Sequence, residues 1–278
     1  ESGSVYVYSK DYYTGSDEDP HEENVVLKNK VKLYGGCVIN SAYDRTTAAQ
    51  EKICTLKILG LSLKGNLYLF NEVEETSEGV WEITSEHFTN LKGTGGPAIT
   101  ANDGCTVEGI TIQNSVNKQF SAADSILANG NFGTGAAIYC NSSGVTQINR
   151  CSILDNESVV GAGTYIYNDS APEFSRCNFT DNKSSDGGNI VVRDIKDGNI
   201  PSFSECIIDG TDNSDILIDY GTDVAFTDCQ IDSKIILNRR NSENDTKAQF
   251  TDTAIFGNID IIGQSILSLT DCTTTIGD

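Results

Sequence analysis

The sequence predicts an all-β fold, a right-handed single-stranded parallel β-helix (solenoid) of about eight to ten rungs, with an irregular N-terminal part. Three observations predict it. A short template of apolar and polar residues recurs along the second half of the chain. A glycine-rich strand opening recurs between its copies. No long stretch has helical periodicity, which argues against a βαβ arrangement.

The template reads large apolar, two polar, Cys or a small residue, one variable, apolar. Its clearest copies are Phe174-Ser-Arg-Cys177-Asn-Phe179, Phe203-Ser-Glu-Cys206-Ile-Ile208, Phe226-Thr-Asp-Cys229-Gln-Ile231 and Phe250-Thr-Asp-Thr253-Ala-Ile255. Ile148-Asn-Arg-Cys151-Ser-Ile153 precedes them, Leu269-Thr-Asp-Cys272-Thr-Thr274 follows, and Val107-Glu-Gly-Ile110-Thr-Ile112 is a looser early copy. The first positions step by 41, 26, 29, 23, 24 and 19 residues. Apart from the first step, which contains an insertion, these suit one turn of three short strands. Equivalent side chains on successive turns then stack about 4.8 Å apart. One inward ladder holds Phe174, Phe203, Phe226 and Phe250, and a second holds Cys151, Cys177, Cys206, Cys229 and Cys272. Inward residues of one strand lie an even number apart, yet these two ladders are offset by three. A tight corner must separate them, with polar pairs such as Ser175-Arg176 and Thr227-Asp228 facing water.

A further strand opens each turn. Gly133-Thr-Gly-Ala-Ala-Ile138-Tyr139 matches Gly161-Ala-Gly-Thr-Tyr-Ile166-Tyr167, Asp186-Gly-Gly-Asn-Ile-Val-Val192 is another copy, and Gly93-Thr-Gly-Gly-Pro-Ala-Ile99 a looser one. The regular β-helix therefore spans 95–278, with a lateral insertion at 115–134. Residues 1–94 hold strand-like segments that supply about three more rungs or a modified cap. Solenoid ends need caps because a bare end rung exposes strand edges and apolar surface. The last copy stops at Asp278 with no evident cap, so further chain or another subunit is expected there. The start at Glu1 and the absence of Met suggest a processed or excised chain.

Forty Asp and Glu oppose 19 Lys and Arg, for a formal net charge of -21. Nucleic acids and anionic membrane surfaces bind clustered Lys and Arg, so neither is an expected partner. No apolar run approaches the ~18 residues of a membrane span. Nine Cys without a Cys-x-x-Cys pair exclude the usual zinc and thioredoxin motifs. The laddered Cys are expected to be reduced and buried, since Cys is among the most buried residue types. Asn-x-Ser/Thr sequons occur at Asn141, Asn156, Asn168, Asn178, Asn182 and Asn244, as chance would produce in a chain rich in these residues.

The glycine-rich start Gly133-Thr-Gly-Ala-Ala-Ile138 and the run Cys177-Asn-Phe179-Thr-Asp-Asn182 resemble the Gly-Gly-Ala-Ile and Phe-x-x-Asn repeats of chlamydial polymorphic outer-membrane proteins. Val31-Lys-Leu-Tyr-Gly-Gly36 and Val107-Glu-Gly-Ile-Thr-Ile-Gln-Asn114 are similar to β-helix surface proteins of Bacteroidetes-type bacteria. The resemblance covers roughly residues 25–210 and implies a secreted or surface-displayed adhesive passenger without a cofactor.

The residues offer little chemistry. His21 and His87 are isolated, so no nucleophile–His–acid set can be assembled. The expected function is therefore non-enzymatic, at the cell surface or outside the cell, in adhesion or in surface or fibre structure. Partners would be a host or cell-surface ligand, a glycan, or copies of the chain in a fibre. The alternative is a carbohydrate-active or carbohydrate-binding β-helix of the lyase or glycosidase kind. Its candidate site is Arg193, Asp194, Lys196 and Asp219, with Asp169 one rung earlier, because such chemistry uses paired carboxylates and a basic residue on one face. Asp228, Asp252 and Asp271 share one corner position on successive rungs and are the candidates for Ca²⁺, which needs six to eight oxygen ligands. Glu205 and Arg176 are placed to pair across rungs. In the insertion, Phe120, Ile126, Leu127 and Phe132 are the candidate binding residues, since loops on rigid scaffolds commonly carry recognition.

Overall fold

The computed structural model describes residues 3–8, 21–22, 24–37, 52–58, 61–67, 73–77, 80–83, 89–117, 135–141, 144–168, 170–195, 198–210, 213–239 and 244–274. Every regular element among them is a β-strand, and the main body is three parallel sheets of nine, nine and eight strands. The chain passes from sheet 1 to sheet 2 to sheet 3 and back to sheet 1 one rung on. Sheet 1 runs from Gly3–Tyr8 to Ile266–Thr270, sheet 2 from His21–Glu22 to Thr273–Thr274, and sheet 3 from Val25–Val26 to Ile259–Ile262. This is a parallel β-helix, roughly 40 Å tall at the usual strand spacing.

The stack begins earlier than the repeats suggest. Val25–Val26 pairs with Ile99–Ala101, and Gly3–Tyr8 pairs with Val31–Cys37. The N-terminal third therefore supplies rungs, but not three of them. Lys52–Ile58 with Leu61–Leu67, and Val73–Ser77 with Val80–Ile83, are antiparallel hairpins inserted between Val31–Cys37 and Thr89–Lys92. The reason is local. Two-residue links ending in Gly60 and Gly79 suit tight hairpin turns, whereas a parallel rung needs a longer return.

The interior is the set of ladders expected. Leu33, Val107, Ile148, Phe174, Phe203, Phe226 and Phe250 stand in register along sheet 1, all buried. The four phenyl rings stack with centroids 4.9, 4.9 and 4.8 Å apart and planes within 12°. Ring separation thus equals rung rise, and each pair adds about 0.5–1.5 kcal/mol beyond burial. Leu91, Ile112, Ile153, Phe179, Ile208, Ile231 and Ile255 form the matching ladder of sheet 2.

The corner between sheets 1 and 2 lies where the offset of three requires it. Gly109, Arg150, Arg176, Glu205, Asp228, Asp252 and Asp271 all have φ between +49° and +66°. This left-handed conformation costs a non-glycine residue about 1–2 kcal/mol, least for Asp and Asn. The next residue stabilises the corner. The thiols of Cys151, Cys177, Cys206, Cys229 and Cys272 donate to the carbonyls two residues back, at 3.3–3.4 Å. Thr253 does the same with its hydroxyl at 2.9 Å. The position therefore selects a small side chain with a donor, which explains why Thr replaces Cys there.

After sheet 2 a second left-handed residue (Asn114, Asp155, Asp181) turns the next side chain inward. Those side chains, Ser115, Asn156 and Asn182, are buried and linked. Asn156 Nδ2 donates to Ile112 O at 3.0 Å and Asn182 Oδ1 at 2.8 Å; Asn182 Nδ2 donates to Ile153 O at 2.8 Å and Asn189 Oδ1 at 2.9 Å. Asn189 Nδ2 in turn reaches Ser214 O at 2.9 Å. Two of the sequons are thus interior amides that satisfy the carbonyls of the bend.

Sheet 3 is buried on both faces in its middle rungs. Ile190, Val192, Ile216 and Ile218 point into the helix, while Tyr139, Tyr165, Val191 and Leu217 form a second apolar cluster on the outer side with Val160. The glycine-rich segments run across this outer face. A Cβ on Gly187, at φ +67°, would lie 2.3 Å from Val191 Cγ2, and one on Gly188 would lie 1.9 Å from Asn213 O. Close approach of backbone to sheet is what these glycines permit.

Candidate functional site

The residues named for carbohydrate chemistry sit at the end of sheet 3, where the chain turns toward sheet 1. Arg193 and Asp219 occupy one register position on adjacent rungs, facing outward. Both side chains are nonetheless covered, Arg193 at 7% exposure and Asp219 at 0%. Arg193 Nε donates to Asp219 Oδ1 at 2.8 Å and Nη2 to Oδ2 at 2.9 Å. Nη2 also reaches Asp186 Oδ2 at 2.9 Å, and the guanidinium lies 5.4 Å from the Tyr220 ring centroid. Burial alone would pull the Arg193 guanidinium down; the Asp219 hydrogen bonds and charge, aided by Asp186, outweigh it and hold it above its usual value.

This arrangement corrects the expected carboxylate pair. Asp219 spends both oxygens on Arg193 and has no surface with which to meet a substrate. Asp194 is exposed at a corner with φ +54°. One carboxylate faces solvent and the other is locked beneath the surface, because in-register neighbours of opposite charge bond to each other first. Lys196 and Asp169 lie outside the described residues. On the preceding rungs of sheet 3, the rings of Tyr139, Tyr165 and Tyr167 stack at 5.8 and 5.9 Å, with Tyr167 in register with Arg193. Burial pushes the Tyr139 phenol up to about 12 and Tyr165 further upward, although Arg193 opposes the rise at Tyr165. The Tyr139 and Tyr165 phenols therefore stay protonated near neutral pH.

Asp228, Asp252 and Asp271 do occupy one corner position on three successive turns. Among the described residues, however, no three His, Cys, Asp or Glu side chains converge as a metal-holding group. The row offers one carboxylate per turn along an edge. Earlier on the same corner stand two cations, Arg150 and Arg176, followed by Glu205. Arg176 Nε and Nη2 each lie 3.1 Å from a Glu205 carboxylate oxygen, and Arg150 pairs with Glu108 across the preceding rungs.

The insertion leaves the stack after Val116–Asn117, which pairs in parallel with Glu157–Ser158. Phe120, Ile126, Leu127 and Phe132 lie outside the described residues, as does His87. His21 stands in register with Leu91 at the start of sheet 2.

No protein family, curated protein or solved structure matches the chain. The motifs behind the likeness to bacterial surface proteins therefore stand on what they do here. In Phe179-x-x-Asn182 the Phe fills the sheet-2 ladder and the Asn satisfies the bend. In the glycine-rich openings the backbone passes over sheet 3. Both are demands of the β-helix itself.

The thiol row is free and buried from Cys151 to Cys229, with Cys272 half-buried. Burial pushes the Cys151 and Cys206 thiols well up, with neighbouring thiols adding to the shift. Burial would push the Cys177 thiol up as well, but hydrogen bonds with the Cys151 and Cys206 thiols and with backbone outweigh it and draw Cys177 down. The row acts as a set of corner donors.

The internal amides of Asn156, Asn182 and Asn189, and the Arg193–Asp219–Asp186 group, are structural sites that pattern reading missed. The amides did leave a signal. Ser115, Asn156 and Asn182 step by 41 and 26 residues, the steps of the Val107, Ile148 and Phe174 ladder.

Proposed function

We propose that this chain is a non-enzymatic β-helix used outside the cell or at its surface, as a rigid element for adhesion or surface structure. The observation that carries the proposal is the fate of Asp219. One carboxylate of the candidate pair, Asp219, is fully buried and bidentate to Arg193. What remains is a stacked body whose described polar groups largely support its own corners and bends, with long side faces of exposed turn residues. Such a scaffold displays a surface rather than enclosing a reaction.

The likeness of its repeats to secreted passengers points the same way, as does an acidic composition unsuited to nucleic acid. A glycan is the second partner class with support, because Tyr167 and Tyr220 are half-buried beside the exposed Asp194 and offer ring faces. The test is a glycan and host-surface binding array run beside a polysaccharide lyase and glycosidase screen. Binding without turnover supports the proposal. Cleavage that disappears in Asp194→Asn overturns it.

A further inference from the structure

Four thiols stand in line just inside the corner between sheets 1 and 2. Strand register on both sides of that corner places Cys151, Cys177, Cys206 and Cys229 at one position on four successive rungs. All four are free and buried. The row has defined ends, because the same register puts Ile110 before Cys151 and Thr253 after Cys229. Each sulfur lies 3.3–3.4 Å from the carbonyl two residues back on its own rung, so the four side chains share one orientation. Side chains stacked in this way repeat at the rung rise, which the phenyl rings of the neighbouring ladder set at 4.8–4.9 Å.

That spacing suits one kind of chemistry. A disulfide needs its Cβ atoms about 3.8 Å apart, closer than parallel side chains one rung apart come. Zinc and iron–sulfur clusters take four ligands around a centre. Among the described residues no three His, Cys, Asp or Glu side chains converge in that way. A monovalent ion with a filled d shell is satisfied by two thiolates in line, and soft thiolate ligands select Cu⁺. Metal–thiolate bonds of about 2.3 Å, the length found on zinc, span about 4.6 Å between sulfurs when collinear. The thiol protons are also dispensable. Asn149 O, Ser175 O, Ser204 O and Thr227 O each accept a backbone N–H as well, from Gly109, Arg150, Arg176 and Glu205 at 2.9–3.2 Å. A thiol can lose its proton without leaving these carbonyls bare.

We propose that the row binds Cu⁺ between successive rungs, one ion in each gap between its four sulfurs. Three Cu⁺ enter, three thiols release their protons to solvent, and the fourth thiol keeps its own. Three positive charges then meet three thiolates, and no electron is transferred. The loaded row is neutral, as suits a site walled by the apolar core. Thr253 closes the row at one end, since a hydroxyl is a poor ligand for so soft an ion.

The folded chain is titrated without oxygen with Cu⁺ against bicinchoninate, a coloured Cu⁺ chelator, until the count of bound copper is constant. Variants are built with Thr, which the fold already carries in the same role at Thr253. Cys151→Thr shortens the row at one end and should lose one Cu⁺ relative to the unaltered chain. Cys206→Thr breaks two gaps and should lose two. Cys177→Ser, at the other interior position, should also lose two, and circular dichroism checks that each variant keeps its β-structure. The cysteines outside the row are present in every variant, so the differences report the row alone. Zn²⁺ offered in place of Cu⁺ should give no difference among the variants.

Equal losses from end and interior variants overturn the proposal, because they would mean that thiols bind copper singly. A copper count that no substitution changes overturns it too, and so does a Zn²⁺ count that falls with the row.

Discussion

Asn182 shows how much of this fold depends on single interior polar groups. Its amide bridges two rungs and the Asn189 side chain with no exposed surface of its own. Asn182→Ala removes that bridge and leaves Ile153 O and its neighbours without a donor in the interior. The expected loss is about 1–3 kcal/mol in urea unfolding. Asn178→Ala, also in a sequon but half-buried on the strand surface, should stay within about 0.5 kcal/mol. The Cys ladder permits a sharper comparison, because Thr253 already does the work of a thiol at one rung. Cys206→Thr keeps a donor for Ser204 O, and Cys206→Val keeps the volume but not the donor. We expect the Thr variant to be the more stable by about 1 kcal/mol, the net worth of one such bond. Equal stabilities in denaturant titration would show that the position selects size alone.

At the level of strands and corners, the Arg193–Asp219 pair joins two rungs of sheet 3 beside the Tyr220 ring. Asp219→Ala leaves a buried guanidinium with only the partly exposed Asp186, and should cost about 3–5 kcal/mol. The double variant Arg193→Met with Asp219→Leu should recover most of that loss, because the desolvation of both charges disappears with them. A double-mutant cycle by thermal or chemical unfolding measures the coupling, and additive losses would sink this account. The pair also shows where sequence stops being informative. The Phe and Cys ladders were legible because their steps repeat together and their odd offset demands a corner. The Asn bridge was legible in its spacing, yet its residues also spell sequons, and composition made those unremarkable. Arg193, Asp194 and Asp219 have the residue types of a carbohydrate site, and type alone carries no mark of burial. That follows only once Val160 and the glycine-rich segments are seen lying over sheet 3. Of the hairpin strands at 52–83, Thr55-Leu-Lys-Ile-Leu59 and Val80-Trp-Glu-Ile-Thr84 mark two, Asn66-Leu-Tyr-Leu-Phe70 overlaps only the end of Leu61–Leu67, and Val73–Ser77 has no such mark; nor do strand-forming residues state whether a partner runs parallel or antiparallel. There the two-residue links ending in glycine were the clue.

Across the whole molecule, the buried ionisable groups of the stack are mostly weak acids held neutral, and this sets the direction of its pH dependence. Burial raises Cys140 from the ordinary thiol value of 9.0 to about 12, and Tyr139 from 10.0 to about 12. The Cys151 and Cys206 thiols shift the same way. Once the pH passes about 9, these groups ionise in the unfolded chain while the folded chain still keeps their protons. The unfolded state then binds fewer protons, so stability falls as pH rises, and the loss continues until the folded groups titrate near 12. Below about pH 9 the contribution is fully present and flat. Each unit of displacement corresponds to about 1.4 kcal/mol, so Cys140 alone destabilises the fold by up to about 4 kcal/mol at the alkaline end. The growing negative charge of an already acidic chain acts in the same direction. Unfolding midpoints followed from pH 7 to 12 should therefore stay level and then drop steeply above about 9. Cys140→Ala trades the thiol for a small cavity, so it should be less stable near neutrality and should fall away less steeply above pH 9. A profile whose alkaline limb is unchanged by that substitution would mean that repulsion among surface carboxylates, rather than the neutral core, governs the loss.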